Sequence, residues 1–93
     1  MEINLYLPFA HSLKDKRAIR QSLIAKLKRN FSLSVRETGS QDDIGSLIVS
    51  AAFVCLSEIE GRDYAQNIQD YLEEFILNHS CELRSFEWDL LFE

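Results

Sequence analysis

Two stretches whose apolar residues recur at helical spacing are each bracketed by short segments that alternate apolar and polar, and this order of periodicities dictates β-α-β-β-α-β. In residues 2 to 7, Ile3, Leu5 and Leu7 fall on one side and Asn4 and Tyr6 on the other, and Pro8 ends the strand. From residue 13 to 30, Leu13, Ile19, Leu23, Ile24 and Leu27 share one arc of a helix. A second strand is predicted over residues 31 to 35, directly after the helix, with Phe31, Leu33 and Val35 on one side. A polar turn at 38 to 43 containing Gly39 sends the chain back as a third strand over 44 to 56. Its inward set is Leu47, Val49, Ala51, Phe53 and Cys55; its outward set is Ile48, Ser50, Ala52 and Val54. Residues 58 to 61 turn, and Tyr64, Ile68, Tyr71, Leu72, Phe75 and Ile76 place a second helix over 62 to 78. Alternation resumes over 82 to 92, which puts Arg84, Phe86, Trp88, Leu90 and Phe92 on an inner face.

Two right-handed β-α-β crossovers around one hairpin give an α+β, ferredoxin-like sandwich: a four-stranded antiparallel sheet in order 4-1-3-2 with both helices on one face. Residues 1–93 are expected to form a single domain, since 93 residues with 46% apolar content supply one core. No apolar run approaches the roughly 18 residues of a membrane span, and Glu2 and Asn4 interrupt the opening apolar stretch, so a cytoplasmic protein without a membrane partner is expected. Cys55 and Cys81 form no C-x-x-C pair and are read as free thiols, with Cys55 buried.

The formal charge of −5 is unevenly divided: residues 1 to 36 hold eight basic and two acidic side chains, the remainder two basic and thirteen acidic. Such a chain can bind polyanions through its basic part, or associate head to tail. The basic part centres on Ser12-Leu13-Lys14-Asp15-Lys16-Arg17. Ser12 with Asp15 three residues on is a helix start, yet three cations follow in a first turn whose dipole disfavours them. Lys14, Arg17, Gln21 and Lys28 line one edge of the helix, a stripe suited to a phosphate backbone or to solvent. Lys16 and Arg20 fall inside the apolar arc, where they either snorkel past the sheet or share an anion pocket.

With Leu7-Pro8 before it, this hexapeptide, the segment Phe31-Ser32-Leu33-Ser34-Val35, Glu37 and the pair Gln41-Asp42 make the chain resemble the YlxP-like family of small bacterial proteins of unknown function. The resemblance implies a ferredoxin-like fold and a setting among translation and ribosome-maturation factors, and brings no catalytic residues. The chain departs from the family at Ile44, where a Trp is usual.

Several versions of this fold are disfavoured by their residues. Base stacking on the sheet needs aromatics, and the outward faces offer only Tyr6, beside Ser50, Ala52, Glu87 and Asp89. The loop Pro8-Phe9-Ala10-His11 has neither the cysteine pair of a metallochaperone nor the glycines of a phosphate cradle. His11 and His79 have no recognisable catalytic partner, and Glu37, Asp42 and Asp43 read as a solvated turn, so neither a metal, a cofactor nor an enzyme activity is expected. Two classes stand. One is a binding module that meets RNA or a ribosomal particle through Lys14, Lys16, Arg17, Arg20 and Lys28. The other is a structural or regulatory homo-oligomer, most simply a dimer, formed through Tyr6, Ile48, Ala52 and Val54 or through the edge at the second strand.

Overall fold

Ser12 and Ser57 begin the two helices in the same way in the computed structural model, which describes residues 1–91. The Ser12 hydroxyl accepts from the Asp15 amide at 3.2 Å and Asp15 Oδ2 accepts from His11 N–H at 2.9 Å; Ser57 and Glu60 repeat the exchange with Leu56 N–H at 3.2 Å. Each reciprocal cap satisfies amides that have no partner within the helix. Helix α1 therefore spans Leu13–Asn30 and helix α2 spans Glu58–His79. The second helix thus starts four residues before the position predicted, and Gly61 lies inside its first turn. A Cβ there would stand 2.6 Å from Leu90 Cδ2, so the absence of a side chain lets the segment after the last strand close over the helix.

Four strands complete the chain: β1 (Glu2–Tyr6), β2 (Ser34–Gly39), β3 (Ser46–Ala52) and β4 (Glu82–Glu87). They form one antiparallel sheet in order β2-β3-β1-β4, the predicted arrangement read from the other end. Ile3, Leu5, Leu47 and Val49 point to one face and meet Leu23 and Leu27 of α1 and Ile68, Leu72 and Phe75 of α2, all buried. α1 packs beside β2 and α2 beside β4, so each helix lies toward one edge of the sheet.

The limits of β2, β3 and β4 differ from expectation. Phe31 is the C-cap of α1, its amide held by Leu27 O at 2.9 Å and its ring set edge-on to Tyr64 and Tyr71, so β2 starts at Ser34 and runs on to Gly39. β3 stops at Ala52, because Phe53 turns away to stack on Tyr64 at 4.4 Å. β4 ends at Glu87, leaving Trp88 and Leu90 beyond the strand, while Phe92 lies outside the described residues. A register shift against β1 brings both Leu83 and Phe86 to the core side and turns Arg84 out. Arg84 was expected within. Its guanidinium instead lies 4.7 Å from the Tyr6 ring centre and donates to Ser46 Oγ at 2.9 Å on the open face. Cys81 is buried and Cys55 only half-buried, the reverse of the emphasis in the sequence reading.

Candidate nucleic-acid interface

The residues singled out in the hexapeptide part company in space. Lys16 is 2% exposed, and its ammonium reaches under the β2–β3 loop to donate to the carbonyls of Ser40, of Asp43 at 2.9 Å and of Gln41 at 3.4 Å. Its Nζ also lies 3.2 Å from Glu37 Oε2, a charge contact without the geometry of a directed hydrogen bond. Glu37 is 9% exposed because β2 directs it to the helix-covered face, and its other oxygen accepts from Arg20 Nη1 at 3.0 Å. The loop that supplies the carbonyls is shaped locally: Ser40 takes a left-handed φ of 53° and Asp43 Oδ1 accepts from Gly45 N–H at 2.9 Å.

The anion pocket expected from Lys16 and Arg20 is therefore corrected for Lys16. A buried ammonium is stable only when its charge and donors are satisfied, and here carbonyls and Glu37 satisfy them from within the protein. Arg20, 28% exposed, has one nitrogen on Glu37 and lines a cavity of about 230 Å³ together with Leu13, Lys16, Arg17, Glu37 and Gln41. The carboxylate fixes the guanidinium in place, which lowers the entropy lost when it grips a second anion.

Lys14, Arg17 and Lys28 are exposed, and none takes part in an ion pair among the described residues. Their direction follows from the contacts on the other flank of α1. Ser22 comes within 3.5 Å of His79 Nε2 and Lys26 sits over the Phe75 ring, so that side meets α2. The stripe lies on the opposite side, beside the β2 edge, and Arg20 joins it there through Glu37. Four cations thus share one flank. Gln41 and Asp42, which sequence alone left without a role, belong to the loop clasped by Lys16, and Ile44 follows in the same connection.

The open sheet face is more polar than its sequence suggested. Tyr6 is covered by Arg84, Ile48 is half-buried between Asn4 and Gly39 of the neighbouring strands, and Ala52 is exposed at the end of β3. Val54, 93% exposed, lies beyond the strand and outside that face. Thr38 and Ser50 share a hydrogen bond of 2.6 Å on it.

No group of three or more metal-binding side chains occurs among the described residues, and no helix there is long and apolar enough to cross a membrane. Burial pushes the Cys81 thiol above its ordinary value. Compared with curated proteins, the chain matches none. Residues 1–86 match a family described as a protein of unknown function (DUF503), and since that match covers 86 of the 93 residues, the chain belongs to this family.

Proposed function

We propose that this is a non-enzymatic, cytoplasmic binding module that meets RNA or a ribosomal particle along the outer flank of α1, with Lys14, Arg17, Arg20 and Lys28 on the phosphates. The observation that carries the reading is the division of labour among the cations. Lys16 is taken up by the fold, whereas Lys14, Arg17 and Lys28 stand exposed without an acidic partner among the described residues. Lys14 and Arg17, placed in the first turns where the helix dipole disfavours cations and left unpaired, are explained by an anion that arrives from outside, and Lys28, in the last turn, extends the same flank. The resemblance to the YlxP-like proteins, carried by the hexapeptide, Glu37 and Gln41-Asp42, adds the translational setting.

The open sheet face supports a homo-oligomer less, since it presents hydroxyls, an amide and charges around Ile48. Fluorescence anisotropy with labelled single-stranded RNA tests the reading. Three or four phosphate contacts give a log-log salt slope of roughly −2 to −3. Arg17→Glu with Lys28→Glu removes binding, and Tyr6→Ala leaves it unchanged. Equal retention of RNA by the double charge reversal and the wild type at low salt overturns it.

A further inference from the structure

The charge division read along the chain becomes, in three dimensions, a division across the sheet. β2 and β4 are its two edges, and α1 lies over the first and α2 over the second. The β2 edge carries Arg36, exposed and without an ion-pair partner among the described residues, below the basic flank of α1. At the β4 edge, Glu87 stands directly opposite Glu2 of β1, and exposed Asp89 follows. Like charges across a strand pair destabilise it unless a cation lies near. Arg84, the one basic residue of β4, is turned to Tyr6 and Ser46 instead, and Arg36 stands at the far end of the same cross-strand row, beyond Ser50 and Glu2, so the row is basic at its β2 end and acidic at its β4 end.

We infer that a second copy of this chain brings a cation to the acidic end of this row: the β2 edge of one molecule adds to the β4 edge of the next, with Arg36 seated beside Glu87. Strand direction permits it. β2 runs parallel to β1 and β4 antiparallel to it, so a copy displaced along the sheet presents its β4 antiparallel to β2 and continues the alternation with the helices on the same side. Setting Ser34 opposite Glu87 aligns Val35 with Phe86 on the helix side and Arg36 with Ser85 on the open side, which leaves Arg36 in diagonal reach of Glu87. Register shifts at Glu37/Gly39 in β2 and opposite Asn4/Leu5 in β4 confine regular pairing to Ser34–Arg36 and Ser85–Glu87. The contact is therefore short, weak and dependent on charge, unlike the roughly 1,200 Å² or more of a stable interface. It is heterologous, so it propagates. This association is independent of RNA binding by α1.

Sedimentation velocity over a concentration series tests it. At about 0.1 M salt the Debye length is about 10 Å, which screens repulsion between whole molecules 43 Å long while contact pairs survive. The wild type then shows a sedimentation coefficient that rises with concentration, and the rise disappears at about 1 M salt, where the Debye length is about 3 Å. Arg36→Glu and the pair Glu87→Lys with Asp89→Lys each sediment as monomers. Mixed, they associate again, because the Arg36 edge kept by one meets the Glu87 edge kept by the other and the two reversed edges are themselves of opposite charge. Wild-type hydrogen exchange supplies a check that needs no variant: the amides of 34–36 and 85–87 gain protection together as concentration rises. A wild type that stays monomeric at high micromolar concentration overturns the inference, as does an Arg36→Glu protein that associates like the wild type. Variants that do not pair on mixing also overturn it.

Discussion

Replacing Lys16 with Met keeps the length and apolar stem of the side chain and removes its charge and donors. The structure shows what is left behind. Glu37, 9% exposed, retains only Arg20, and the carbonyls of Ser40, Gln41 and Asp43 lose a shared donor beneath the loop. Removing one partner of a buried ion pair costs roughly 3–5 kcal/mol, because the other charge stays buried. For a domain of this size each kcal/mol is worth roughly 4–8 °C, so Tm falls by about 12–40 °C. Against a total of about 5–15 kcal/mol, that is between about a fifth and all of the domain's stability. Lys14→Met, two residues away but exposed, changes stability by no more than about 0.5 kcal/mol. Thermal melts by circular dichroism measure both, and adding Glu37→Gln to Lys16→Met isolates the coupling, expected at about 0.5–3 kcal/mol. A Lys16→Met protein that melts within about 4 °C of the wild type refutes the claim that this lysine locks the hairpin to the helix.

Two further outcomes follow from other parts of the fold. Burial raises the Cys81 thiol above its ordinary value of 9.0, and Tyr71 is raised above 10.0 chiefly by burial. Both native groups hold their protons more tightly than the unfolded chain, so their stabilisation is intact below pH 9 and is lost as pH rises through the raised native values. Alkaline melts check this, and mass spectrometry after brief alkylation near pH 8 should find Cys55 modified well before Cys81. Gly61→Ala gains about 1 kcal/mol of helix propensity but drives its Cβ into Leu90 Cδ2. Stability then changes by less than about 1 kcal/mol while the segment carrying Trp88, held near Arg62, is displaced. Unchanged Trp88 fluorescence would count against that packing.

The order of elements was legible in the sequence because hydrophobic periodicity is a local property: a strand or helix must bury one face, and the spacing of apolar residues names that face whatever covers it. Ser12 and Asp15 were legible for the same reason, since a helix cap is made by residues three apart. Ser57 and Glu60 carried an equal signal, which Gly61 obscured by reading as a turn. What the spacing of residues did not contain is where β4 shifts register, since that depends on its partner strand; the shift sent Arg84 out and Leu83 in. Lys16 is the sharpest case. Its place in the apolar arc was visible, but whether a cation there binds an external anion or an internal one depends on what stands opposite. Only the folding of β2 brought Glu37 and three loop carbonyls to within reach. By itself the sequence determined the elements, their order and the flank of α1 that carries charge. Tertiary structure decided which of those charges the fold consumes, because electrostatic partners separated by more than twenty residues are set by topology and not by spacing.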